Sequence, residues 1–163
     1  MNKNIVVSGG FDPIHIGHVR MILGASQEGD VVVIANSDEW LERKKGYVFM
    51  PWEERAEIIR SIRGVSNVVT VDDSDNSVCE AIKRLHNSGR CDMFVNGGDR
   101  TNTNTPEKKL CEELGIKMLW NVGGGKIQSS SDLVSSAQEE PSVPPARREA
   151  RGSENRYKRC VAK

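Results

Sequence analysis

His15 and His18 lie three residues apart around Gly17, closing the run Gly9-Gly10-Phe11-Asp12-Pro13-Ile14-His15-Ile16-Gly17-His18. Imidazoles so placed can donate hydrogen bonds to phosphate oxygens and, when protonated, neutralise charge. The run follows the apolar Ile5-Val6-Val7 and precedes a helical pattern, so it reads as a strand-to-helix turn. Glycines let backbone approach a ligand closely. The first N–H groups of the new helix have no intrahelical partner and attract anions. The plain alternative is that either histidine caps the helix or packs on the sheet. Phosphate binding accounts for the glycines, both histidines and the turn together.

Four more segments carry chemistry. Glu42-Arg43-Lys44-Lys45-Gly46-Tyr47 is basic, and Trp52-Glu53-Glu54-Arg55 opens a helix behind Pro51. Gly123-Gly124-Gly125-Lys126-Ile127-Gln128-Ser129-Ser130-Ser131 offers hydroxyls and N–H groups where a last helix starts. Asn96-Gly97-Gly98-Asp99-Arg100 follows a strand. Each has a bland counterpart: a solvated basic loop, a surface salt-bridge arginine, a serine N-cap, an ordinary turn.

The elements that must position these segments alternate between two periods. Strands are expected over Lys3–Ser8, Asp30–Asn36, Asn67–Val71, Asp92–Val95 and Ile116–Asn121. Helices are expected over Val19–Gln27, Trp52–Arg63, Asn76–Asn87, Pro106–Leu114 and Ser129–Ser136, and residues 37–50 read as a basic loop. Continuous apolar strands alternating with helices imply an α/β fold whose five-stranded parallel sheet is covered on both faces. Ligands in such sheets bind beyond the carboxyl ends of the strands, near the switch in strand order. Every chemically loaded segment follows a strand, hence lies on that edge.

Composition narrows the classes. The chain has 163 residues, with Lys+Arg and Asp+Glu equal at 23 each. Its length suits one domain, and the zero balance gives no whole-molecule attraction to nucleic acid or anionic membrane. No apolar run approaches the ~18–20 residues of a membrane span, and no signal-peptide pattern is present, so a cytoplasmic protein is expected. The four cysteines lack CxxC or CxxH spacing, which points to reduced thiols and to no protein-held metal. Residues 137–163 hold seven Lys/Arg against four Asp/Glu together with Pro141, Pro144 and Pro145. They are expected to form a disordered basic tail behind a domain of residues 1–136.

The pattern Gly9-x-Phe11-Asp12-x-x-His15-x-Gly17-His18 resembles the signature of the cytidylyltransferase-like nucleotidyltransferases, among them glycerol-3-phosphate cytidylyltransferases and heptose-phosphate adenylyltransferases. The resemblance spans about residues 3–136 and implies a Rossmann-like three-layer sandwich. It implies transfer of a nucleotidyl group from CTP or ATP to a small phosphorylated acceptor, such as glycerol phosphate or a sugar phosphate, with Mg²⁺ on the triphosphate. His15, His18, Lys45 and Arg55 would then be catalytic, and Asp12 and Lys44 would serve the acceptor. Gly9, Gly10, Phe11, Gly17, Asp99, Arg100 and Ser129, Ser130 and Ser131 would bind the nucleotide. Similar proteins often dimerise, so a homodimer stays open; no nucleic acid or membrane partner is implied. Gly124 stands where the cytidylyltransferase signature has an arginine, with Lys126 nearby. That departure motivates the alternative of a non-catalytic nucleotide-binding module. His15-Ile16-Gly17-His18 also spells the ATP motif of class I aminoacyl-tRNA synthetases, but their Lys-Met-Ser-Lys-Ser-like loop is lacking.

Overall fold

Runs of β-branched residues without polar alternation belong in strands buried on both faces. In the computed structural model, which describes residues 2–97 and 105–138, they form one five-stranded sheet. The strands are β1 (Asn4–Gly9), β2 (Asp30–Ala35), β3 (Val65–Val69), β4 (Met93–Gly97) and β5 (Lys117–Val122). All neighbours pair in parallel, in the order β3-β2-β1-β4-β5. The chain leaves β1 toward one edge, then returns to build outward from its other side, so the switch point lies between β1 and β4.

The helices are α1 (Ile16–Ala25), α2 (Asp38–Lys45), α3 (Trp52–Arg60), α4 (Cys79–Asn87), α5 (Pro106–Leu114) and α6 (Ser130–Gln138). Alternation along each strand divides the core in two. Ile5, Val7, Val31, Val33 and Val95 pack with Ile22 and Ala25 of α1 and with Ala56 and Ile59 of α3. Val6, Val32, Ile34 and Phe94 pack with Ala81, Ile82 and Leu85 of α4 and with Leu110 and Cys111 of α5. This is the expected three-layer α/β sandwich. Each fully buried aliphatic side chain stabilises it by roughly 1.5–3 kcal/mol.

The main difference from the sequence reading concerns residues 37–50. The basic segment is a helix, not a loop. Ser37 caps α2 by accepting from Trp40 N at 3.0 Å. Asp38 and Glu39 fill its first turn, Arg43, Lys44 and Lys45 its last, and Gly46 closes it at φ 82°. Acids at the start and bases at the end suit the helix dipole. Other boundaries shift by a few residues. Helix α1 starts three residues early because His15 is its N-cap, α3 stops at Arg60, and α4 starts at Cys79. The expected Pro106–Leu114 helix is found unchanged, capped by Thr105 and closed by Gly115.

Among the described residues Cys79, Cys91 and Cys111 are unbridged. Burial pushes the thiols of Cys91 and Cys111 up to about 12, so both stay protonated. No helix among the described residues is long and apolar enough to cross a membrane. Residues 139–163, most of the expected tail, lie outside the described residues, as do Gly98, Asp99 and Arg100.

Candidate active site

A cleft of about 400 Å³ opens at the carboxyl edge of the sheet, above the ends of β1, β2, β4 and β5. Ser8, Gly9 and Gly10 form its floor, and His15, Gly17 and His18 one wall. The Gly123–Gln128 segment after β5 borders it, and Asn36, Trp40, Lys44, Asn96 and Glu107 also line it.

The two histidines form a single stacked unit, with ring centroids 3.8 Å apart and planes at 24°. His15 Nδ1 accepts the Gly17 N–H at 3.1 Å, and His18 Nδ1 accepts the His15 N–H at 3.2 Å. Because each Nδ1 is an acceptor, each neutral ring carries its proton on Nε2. Burial, then the neighbouring His15 and Lys45 charges, lowers the His18 pKa to about 3. Burial and Lys45 also lower that of His15. At neutral pH the pair therefore supplies neutral Nε2–H donors rather than imidazolium charge. The capping alternative and a phosphate-donor role are compatible: the backbone takes Nδ1 of each ring, and both residues line the cleft.

Small residues make this stack possible. A Cβ on Gly17 would lie 2.9 Å from His15 Cε1, and one on Gly9 3.2 Å from the Phe11 ring. Phe11, 1% exposed, sets its ring edge-on to His18 at 5.0 Å. Its side chain backs the histidine from the core and does not line the cleft.

Beneath the loop a polar scaffold holds the backbone. Asp12 is fully buried, and its carboxylate accepts Phe49 N at 2.8 Å and Met50 N at 2.6 Å. It thus orients the loop after α2 and is not presented to an acceptor. Arg55 is also fully buried. It donates to Met50 O at 2.9 Å, Gly10 O at 2.7 Å, Asn36 O at 2.9 Å and Asp38 Oδ1 at 2.5 Å. With its guanidinium engaged by four oxygens and no surface exposed, it is a strut under the site, not a phosphate ligand. Lys45 Nζ donates to Asp12 O at 2.6 Å, and its pKa is lowered chiefly by burial, with Arg55 adding to the effect against Asp12. Lys44 lines the cleft with its ammonium 4.3 Å from the Trp40 ring centre.

The three serines lie around the start of α6. Ser129 Oγ accepts Asp132 N at 3.2 Å, and Ser130 Oγ donates to Pro13 O at 2.9 Å, tying α6 to the first loop. Ser131 is exposed. The cleft lining ends at Gln128 and does not include these three residues. Asp99 and Arg100 lie outside the described residues.

The residues missed by sequence reading are Asn36, Trp40, Asn76 and Glu107, while Asn96, which opens one of the segments singled out, was given no role of its own. Asn36 and Asn96 carried a signal: each is a lone polar residue closing an apolar strand. Asn36 Nδ2 donates to Asp73 Oδ2 at 3.0 Å, and the buried Asp73 also accepts Ser37 N at 2.9 Å and Ser37 Oγ at 2.6 Å.

Residues 6–138 match the family model described as Cytidylyltransferase-like. The chain is 34% identical over 116 residues to the FAD synthase of Pyrococcus abyssi, covering 70% of this chain and 75% of that one. It is 32% identical to the bifunctional protein HldE of Gluconobacter oxydans, covering 86% of this chain but only 28% of that protein. It is 28% identical to the glycerol-3-phosphate cytidylyltransferase of Bacillus subtilis, covering 77% of this chain and 95% of that enzyme. The fold is similar to a lipopolysaccharide core biosynthesis protein from Thermoplasma volcanium (TM-score 0.57, 18% identity, 75% of this chain and 97% of that chain). It is also similar to a bifunctional NMN adenylyltransferase/ADP ribose pyrophosphatase from Francisella tularensis (TM-score 0.60, 15% identity, 83% of this chain and 42% of that chain).

Proposed function

The chain belongs to the cytidylyltransferase-like family and is a nucleotidyltransferase, and we propose that it transfers the nucleotidyl group of ATP or CTP to the phosphate of a small phosphorylated acceptor. An acceptor phosphate oxygen attacks the α-phosphorus, the bond from the α-phosphorus to the bridging oxygen breaks, and pyrophosphate leaves. The attacking oxygen is already anionic near neutral pH, so no general base is needed. What the site must supply is positioning and stabilisation of charge on the α-phosphate and the leaving group.

The observation that carries this reading is the stacked pair His15 and His18, whose Nδ1 atoms are occupied by the α1 backbone. Their Nε2–H groups are preorganised donors for the phosphate oxygens and need no reorientation as charge develops. Lys44 lines the cleft, and Lys45 is close enough to His15 and His18 for its charge to lower both pKa values. Gly9, Gly10, Gly17 and the Gly123–Gln128 segment let the triphosphate approach backbone N–H groups. Mg²⁺ enters with the triphosphate as part of the substrate. Among the described residues no group of three or more His, Cys, Asp or Glu could hold an ion. Phosphate oxygens and water suit its preference for hard oxygen ligands.

The relatives make FMN, heptose phosphate and glycerol 3-phosphate the first acceptors to try. Pyrophosphate release is measured with Mg²⁺ and either ATP or CTP, against each acceptor alone and in pairs. Release that requires one triphosphate together with one acceptor is the expected result. Binding of a triphosphate without release across the panel would instead favour the non-catalytic module.

A further inference from the structure

Trp40 and Lys44 stand four residues apart on α2, and both line the cleft. That spacing puts them on one face of the helix. The helix itself is anchored. Leu41 is fully buried. Asp73 holds α2 at both ends: its carboxylate accepts Ser37 N at 2.9 Å and Ser37 Oγ at 2.6 Å before the first turn, and its carbonyl accepts Arg43 Nη2 at 2.7 Å in the last. The Trp40 ring lies against the first loop, where a Cβ on Gly10 would come within 3.3 Å of its Cζ3. A side chain at position 10 would therefore crowd the ring, and glycine gives it room.

Lys44 is exposed, whereas Trp40 is half-buried. The Lys44 ammonium lies 4.3 Å from the centre of the Trp40 ring, within the ~6 Å range of a cation–π attraction. A flexible four-carbon stem otherwise spreads an exposed lysine over many rotamers. A fixed ring face confines that charge to the cleft side of α2 before any ligand arrives. Ordering a side chain in advance lowers what binding must spend on it. A ring occupies one side of an ammonium, whose three donors can serve an oxygen on another. Trp40 itself carries no charge, so the charge that meets a phosphate here is the lysine's.

We propose that Trp40 is a positioning residue, which holds the Lys44 ammonium at the cleft for a substrate phosphate. It acts through the lysine and is not a stacking surface for the ligand. The phosphate belongs either to the nucleotide or to the acceptor, and the experiment separates the two. The inference rests on the cleft being the substrate site of a nucleotidyltransferase.

The test is a double-mutant cycle on the full chain, read by titration calorimetry. One arm uses ATP and CTP with Mg²⁺; the other uses glycerol 3-phosphate, a heptose phosphate and FMN. In one arm Lys44→Met is expected to weaken binding about tenfold, the worth of one charge-assisted hydrogen bond. That arm identifies the phosphate. In the same arm Trp40→Leu weakens binding about two- to fivefold, and Trp40→Phe, which keeps a ring face, retains most of the affinity. The double variant binds as Lys44→Met alone does, because Trp40 has nothing left to position. Additive losses would overturn the proposal, since they mean that Trp40 touches the ligand itself. Unchanged binding in Lys44→Met or in Trp40→Leu across both arms would overturn it as well. A second readout needs no ligand. In proton NMR the Lys44 Cε protons are expected to show an upfield ring-current shift that persists in Trp40→Phe and disappears in Trp40→Leu. An unshifted Lys44 in wild type would overturn the proposal even if every variant were well folded. Pyrophosphate release is scored separately, so turnover beside additive losses removes this inference and leaves the nucleotidyltransferase reading standing. Failure of wild type to bind any probe would remove both.

Discussion

His18 does two jobs with two nitrogens, and a substitution can separate them. Asparagine places its carboxamide oxygen near the position of Nδ1 but has nothing at Nε2. His18→Asn is therefore expected to keep the bond to His15 N–H and the α1 start, yet lose the donor to the cleft. The expected outcome is a fall in kcat of about 10²–10³ with the fold intact, the range seen when one preorganised donor is removed. Steady-state kinetics beside a thermal melt reads both. A kcat near wild type would reduce His18 to a helix cap. The same side chain sets a pH dependence of stability. Its pKa falls from 6.5 in the unfolded chain to about 3 in the folded one. Between those values the unfolded state binds more protons, so stability rises with pH and is lost as pH falls from about 6.5 toward 3. The slope contributed by this group approaches about 1.4 kcal/mol per pH unit. Urea melts between pH 4 and pH 7 should show a steeper decline for wild type than for His18→Asn, which has nothing to protonate there. Matching slopes would mean that the imidazole is not held neutral.

At the scale of elements, Arg55 joins pieces of chain that the sequence scatters. Its four acceptors belong to the loop after β1, the residue after β2, the first residue of α2 and the loop before α3. Arg55→Met removes a buried cation and leaves three carbonyls and Asp38 without their donor, a loss of about 3–5 kcal/mol. Denaturant unfolding measures it. A side chain that only gripped an acceptor phosphate would leave stability unchanged and alter KM alone. Linear reading could not have found this, because fully buried arginine is rare and only the folded chain brings residues 10, 36, 38 and 50 to one point. The β1-turn-α1 unit was legible for the opposite reason: an uninterrupted apolar run, glycines and paired histidines all sit within one stretch of sequence. Helix α2 was obscured because only Leu41 of its eight residues is buried, too little for an apolar stripe. Its ends, Ser37 before two acids and Gly46 after three bases, were the signal available. The positions of Asn36 and Asn96 were readable as strand ends, but which face of the sheet each one tops follows from the register.

Across the whole molecule, the cleft stands where four parallel strands end, so a ligand there touches segments more than a hundred residues apart. Ser130 already bridges 117 positions to reach Pro13 O, coupling the start of α6 to the loop that carries the histidines. A nucleotide that fills the cleft should therefore tighten residues 9–18 and 122–131 together, although neither segment is near the other in sequence. Hydrogen exchange followed by mass spectrometry, with and without ATP or CTP and Mg²⁺, is the direct measurement. Protection in both segments is expected, with the C-terminal turn of α4 around residues 84–90, which does not line the cleft, left unchanged as an internal control. Ligand at about 100 times its Kd adds about 2.7 kcal/mol to global stability by mass action alone. Amides that exchange only through global unfolding would slow throughout the sheet, so the informative amides are those opening by local fluctuation at the cleft rim. Protection confined to residues 122–131 would mean that nucleotide binds without engaging the histidines. That state can hold a triphosphate but has no donor aligned with the charge that develops at the α-phosphorus, so it would bind without turning over.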